Sequence, residues 1–180
     1  MTVPNLITTM RIILTPIFII YLINDQYLSA LIVFVLGGVS DGLDGLVARI
    51  FNQKSKLGAY LDPLADKILL LAAFVALSVA GLLPSWLTVL VISRDILILL
   101  GVVIISLNGL KIIIRPSILS KITTCLQFAT IIAVLSKDYI SYPQKFHYYL
   151  FSITALFTIS SGLHYIHFWF RVMGEGSQVR

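Results

Sequence analysis

Charge is what this sequence has least of. Only 12% of its 180 residues are Asp, Glu, Lys or Arg, against roughly 25% in an ordinary soluble domain. A chain so poor in charge cannot cover itself with a surface that water solvates. Cysteine is reduced to Cys125, which excludes an internal disulfide and any Cys/His metal framework. That lone thiol is expected to be a small apolar packing residue. Little of the chain lies outside its apolar segments, so no separate soluble domain is left over, and residues 1–180 read as a single domain. The net charge of +5 is not gathered into a soluble basic patch, which excludes a nucleic-acid partner. The start lacks the basic stretch of a cleavable leader, and no small-residue cleavage site precedes Asp25. The first apolar segment is therefore expected to be retained.

What is present is hydrophobic residue, 58% of the chain, in long continuous runs. Six segments, about 5–24, 27–50, 60–82, 84–108, 117–136 and 146–171, reach the roughly 20 apolar residues that cross a bilayer as a helix. In lipid only helices and closed barrels satisfy the backbone, and runs this long do not alternate as barrel strands do. The expected fold is all-α, an integral membrane bundle of six transmembrane helices. Arg49, Lys54 and Lys56 follow the second segment, Lys111, Arg115 and Lys121 follow the fourth, and Arg171 and Arg180 follow the sixth. The opposite loops are poorer in cations, so both termini and the even-numbered loops are expected on the cytoplasmic side. The positive balance suits an anionic leaflet. Trp86 and Trp169 stand near segment ends as interface anchors.

The informative residues are acids placed where acids are costly. Of eight in the chain, Asp41, Asp44, Asp62, Asp66 and Asp95 fall within or at the ends of apolar segments. Even on a lenient scale a charge there costs about 2.5–3.5 kcal/mol. On a helix Asp41 and Asp44 lie about 60° apart and Asp62 and Asp66 about 40° apart, each pair on one face. The turn Asn52-Gln53-Lys54-Ser55-Lys56 brings the two pairs together at the cytoplasmic side. Four converging carboxylates repel one another, and bound cations relieve the repulsion. Hard oxygen ligands suit Mg²⁺, Mn²⁺ or Ca²⁺, and four aspartates suffice for two such ions gripping a diphosphate. A small divalent-cation carrier would also use intramembrane aspartates, although no internal repeat of the transporter kind is visible.

The run Asp41-x2-Asp44-Gly45-x2-Ala48-Arg49-x8-Gly58-x3-Asp62-x3-Asp66 resembles the signature of the CDP-alcohol phosphatidyltransferase family at every fixed position. That resemblance implies transfer of a phosphatidyl group from a CDP-linked lipid such as CDP-diacylglycerol to an alcohol, with release of CMP. It implies two divalent cations, Mg²⁺ or Mn²⁺, on Asp41, Asp44, Asp62 and Asp66, with Asp66 also the base on the acceptor hydroxyl. Gly45, Ala48, Arg49 and Gly58 match positions facing the CDP-lipid, and Asn5 and Thr8 are expected beside it. A homodimer in the membrane is implied as well. Arg49 has a plainer role open to it, as an arginine snorkelling from a helix end.

The opening Pro4-Asn5-Leu6-Ile7-Thr8 with Arg11 is similar to two branches of the family. One takes glycerol 3-phosphate as acceptor and the other takes phosphatidylglycerol, forming cardiolipin. Ile92-Ser93-Arg94-Asp95-Ile96 and Arg115-Pro116-Ser117-Ile118-Leu119-Ser120-Lys121 resemble the second branch, so phosphatidylglycerol is the favoured acceptor. Arg94, Arg115 and Lys121 are assigned to the acceptor's phosphate. Arg94 has an alternative as half of an intramembrane ion pair with Asp95. The expected location is a bacterial plasma membrane, with the active site toward the cytoplasm.

Overall fold

The structure is a computed structural model and describes residues 3–51, 58–107 and 117–176. The side chains of 3–9, 41–51, 58–66, 102–103, 105–107 and 171–176 lie outside that description. The described chain is all-helical: α1 Val3–Ile23, α2 Tyr27–Phe51, α3 Gly58–Val79, α4 Ser85–Leu107, α5 Ile118–Leu135 and α6 Phe146–Gly176. These are the six expected segments, displaced by a few residues at their ends. Among the described residues, two helices are long and apolar enough to cross a membrane, Ile118–Leu135 and Phe146–Phe170.

The helices gather into two compact units. The first comprises residues 1–84 and 131–142, the second 85–130 and 143–180. In the first, α1 packs along both α2 and α3. Phe18 and Phe34, both fully buried, meet with ring centroids 5.8 Å apart. Gly37 of α2 lies under Leu69 of α3, where an added Cβ would stand 2.5 Å from Leu69 Cδ2, so this glycine serves close helix approach.

Two helices of this unit end in the same way. After α3, Gly81 takes φ +71°, its N–H donates to Ser78 O, and Leu82 N–H donates to Leu77 O. After α1, Asp25 takes φ +58°, its N–H donates to Leu22 O, and Gln26 N–H donates to Tyr21 O. Both are Schellman turns, whose left-handed position usually falls to glycine.

In the second unit α4 packs on α6, and Gly101 lies directly under the Trp169 indole. A column of polar side chains joins α5 to α6. The Thr123 hydroxyl shares its one proton between Leu119 O at 2.8 Å and Phe157 O at 3.1 Å, and the Thr130 and Thr154 hydroxyls share a hydrogen bond of 2.8 Å.

Beside an apolar core that includes Leu69, Phe74, Leu77 and Val91, many polar side chains are buried, which is uncommon in a water-soluble domain. Arg94, Asp95, Thr123, Gln127, Thr130, Thr154, Thr158 and Ser161 are buried, whereas Ile23, Val79, Ile118 and Phe170 are more than two-thirds exposed. One expectation is corrected here: Cys125 is exposed on α5 rather than packed inside. In an apolar surround a thiol behaves as a small hydrophobe, so an outward position is compatible with its chemistry.

Candidate active site

The motif aspartates stand on two helices of the first unit. Asp41 and Asp44 belong to the second half of α2, and Asp62 and Asp66 to the first turns of α3. Both stretches are helical, so spacings of three and four place each pair on one helix face. α2 and α3 are in contact. The side chains of Asp41, Asp44, Gly45, Ala48, Arg49, Gly58, Asp62 and Asp66, and of Asn5 and Thr8 near the start of α1, lie outside the described residues. Among the described residues no group of three or more His, Cys, Asp or Glu side chains comes together. The chemistry of the donor set is that of hard, all-oxygen ligands, which fits Mg²⁺ or Mn²⁺.

The described polar chemistry centres on Arg94, in the second unit. Its side chain is 5% exposed and that of Asp95 is 3%. Arg94 Nη1 stands 2.6 Å from Asp95 Oδ1. Nη2 donates to Ser120 Oγ and, at 3.0 Å, to Ser161 Oγ, while Nε donates to Ser161 Oγ at 3.3 Å. One guanidinium thus ties α4 to the first turn of α5 and to the middle of α6. Desolvating a charge is tolerable only when it is paired and its donors are satisfied, and here the carboxylate and both hydroxyls accept from it.

Of the three cations expected at the acceptor's phosphate, Arg94 is buried in this knot, Lys121 is exposed beside Ser120 on α5, and Arg115 lies outside the described residues. Arg94 therefore holds the ion pair named as its alternative, and an acceptor phosphate would have to share or displace the serines. Sequence reading missed Ser120 and Ser161 as partners. The available signal was a hydroxyl on a helix otherwise apolar. Such serines usually bond their own chain, as Ser152 does to Tyr148 O and Ser40 to Leu36 O, so that signal is weak.

How far the resemblance extends along the chain decides what kind of protein this is. A sequence model described as CDP-alcohol phosphatidyltransferase matches residues 1–171, and the chain belongs to that family. It is similar to the human protein named cardiolipin synthase (CMP-forming), with 34% identity over 184 residues, covering 93% of this chain and 61% of that protein. The Drosophila melanogaster protein named probable cardiolipin synthase (CMP-forming) is 34% identical over 185 residues, 92% of this chain and 57% of its own. A Bacillus subtilis protein named CDP-diacylglycerol--glycerol-3-phosphate 3-phosphatidyltransferase is 32% identical over 181 residues, 90% of this chain and 92% of its own. The chain spans about three-fifths of the length of the animal relatives.

Proposed function

We propose that the protein transfers the phosphatidyl group of CDP-diacylglycerol to the free hydroxyl of phosphatidylglycerol, releasing CMP and forming cardiolipin. The observation that carries this reading is the complete aspartate signature, residues 41–66, inside a family match that runs nearly the whole chain. The printed names of the human and Drosophila relatives support phosphatidylglycerol as acceptor. The printed name of the Bacillus relative keeps glycerol 3-phosphate as the second reading.

In this reading Asp41, Asp44, Asp62 and Asp66 hold two divalent cations. Bound there, the ions would offset the charge of the donor's diphosphate and of the departing CMP. Asp66 accepts the proton of the acceptor hydroxyl, which is too weak an acid to ionise by itself. The hydroxyl oxygen forms a bond to the phosphorus that carries diacylglycerol, and the bond from that phosphorus to the CMP oxygen breaks. Arg49 stands beside the CMP phosphate and steadies its new charge. Gly45, Ala48 and Gly58, with Asn5 and Thr8, leave the CDP-lipid room to approach the backbone. Arg94, Arg115 and Lys121 draw in the acceptor's phosphate.

All six helices span the bilayer in this proposal, with both termini and the aspartates on the cytoplasmic side of a bacterial plasma membrane and the protein a homodimer. The buried polar column and the apolar exterior support a lipid surround, and the Lys and Arg pattern supports the orientation. The test is CMP release by the purified protein with CDP-diacylglycerol and Mg²⁺ or Mn²⁺, comparing the two acceptors, with Asp66→Asn as control. Release with phosphatidylglycerol alone is expected. Release with glycerol 3-phosphate alone would move the protein to the other branch. Absence of release with either, with metal flux across liposomes instead, would make it a carrier.

A further inference from the structure

The first unit has a groove that the phosphatidyl-transfer chemistry does not use. It measures about 670 Å³ and runs between the C-terminal halves of α1 and α3. Ala72, Ala76 and Ala80 recur every fourth residue and lower its floor, while Ile19, Ile23 and Val79 form its walls. Its one charged lining residue is Asp25, at the mouth. Asp25 precedes α2 by two residues, and Asp41 lies sixteen residues further on. At 1.5 Å per residue the mouth is about 24 Å along α2 from the aspartate motif. In the proposed placement it therefore belongs to the other leaflet.

Asp25 itself calls for an explanation. It occupies the left-handed position of a Schellman turn, the position that the matching turn after α3 gives to Gly81. A carboxylate there is a less comfortable choice than glycine. Its Oδ1 accepts a hydrogen bond of 2.8 Å from the Tyr27 hydroxyl. The Lys137 ammonium stands 5.7 Å from the centre of the same Tyr27 ring. Two acids, Asp25 and Asp138, and one base, Lys137, thus surround one tyrosine, next to the groove that Asp25 lines, and all three charged residues are exposed.

We propose that this groove binds a phospholipid with a zwitterionic amine headgroup. An acyl chain lies along Ala72 and Ala76, the headgroup ammonium meets Asp25, and the headgroup phosphate meets Lys137. An anionic headgroup would satisfy Lys137 but bring its charge to Asp25. A second copy of the chain seated on the same trough in a two-fold pair would bring its own Asp25 and Lys137 to the same depth, and the experiment below separates that occupant from a lipid. The inference rests on the membrane placement proposed above and not on the identity of the acceptor.

The experiment reconstitutes the full chain in vesicles of equimolar phosphatidylethanolamine and phosphatidylglycerol, re-extracts it in mild detergent and weighs the retained lipid by native mass spectrometry. Phosphatidylethanolamine is expected to be retained over phosphatidylglycerol by about fivefold, the upper range for one exposed ion pair. Asp25→Gly suits the positive φ, keeps the turn and is expected to abolish the preference. Ala76→Leu fills the floor and is expected to remove the retained lipid. Equal or stronger retention of phosphatidylglycerol, or a preference unchanged in Asp25→Gly, would overturn the proposal. So would a dimer that Ala76→Leu dissociates while lipid retention stays the same. CMP release is read on the same samples. Its absence beside an intact lipid preference counts against the proposed reaction and for the groove, and the opposite pairing reverses both.

Discussion

Arg94 and Asp95 bury a full charge pair inside the second unit, and removing Asp95 leaves the Arg94 charge without its carboxylate. Asp95→Asn is expected to cost about 3–5 kcal/mol of stability, read as a fall in the unfolding midpoint in detergent. Arg94→Met with Asp95→Leu removes both charges and is expected to recover most of that loss. The double variant also tests the acceptor assignment: a folded protein with weakened phosphatidylglycerol use supports it, and full activity removes Arg94 from the site. Gln127 presents the opposite case. It is completely buried, and neither Nε2 nor Oε1 has a hydrogen-bond partner among the described residues. An unsatisfied buried amide costs about 1–3 kcal/mol, so Gln127→Leu is expected to raise the unfolding midpoint. A lower midpoint would mean that the amide has a hydrogen-bond partner beyond the described residues. Legibility at this scale follows electrostatics. Acids within apolar runs announce themselves, so the motif stands out in the bare sequence. Ser120 and Ser161 do not, because only the packing of α4, α5 and α6 turns them into partners of Arg94.

At the scale of helices, contact depends on small residues. Gly101 of α4 lies under Trp169 of α6, and a methyl group there collides with the indole. In an isolated helix alanine would be favoured over glycine by about 1 kcal/mol. Here overpacking prevails at about 1–3 kcal/mol, so Gly101→Ala is expected to lower thermal stability. Adding Trp169→Leu to Gly101→Ala should restore part of it, and a lack of coupling between the two substitutions would refute the contact. Hydropathy predicted all six helices because long continuous apolar runs read as helices and not as short strands. It ended the last one at residue 171, whereas α6 continues to Gly176. The signal reports where hydrocarbon ends, while the backbone remains helical through Arg171, Val172 and Met173. Trp169, expected as an interface anchor, also serves as the packing partner of α4, a role that composition does not reveal.

Among the described residues both units bury polar side chains and leave large apolar ones exposed, and Cys125 reports on the outer face of α5. Its exposure on α5, read with the proposed six-span placement, predicts protection in intact membranes from a charged, water-soluble maleimide, because a charged reagent does not enter hydrocarbon. Labelling should become rapid once the chain is unfolded in denaturing detergent. Rapid labelling in the intact bilayer would mean that this face of α5 looks onto water. The sequence suggested a packed cysteine because it shows that a residue is apolar but not which way it faces. In lipid both directions are equally apolar, so only the structure separates them.

The length of α6 has a consequence for the proposed membrane placement. Its 31 residues make a rod of about 46 Å, against a hydrocarbon slab of about 30 Å. The surplus must be taken up by tilt or left in the headgroup region. A thinner or thicker bilayer then changes how much of the rod protrudes, while Thr154 and Ser161 keep their bonds to Thr130 and Arg94. Those contacts are made within the protein and not with the lipid around it, so in the proposed placement a change of bilayer thickness shifts the protruding end of α6 and leaves its interior bonds in place.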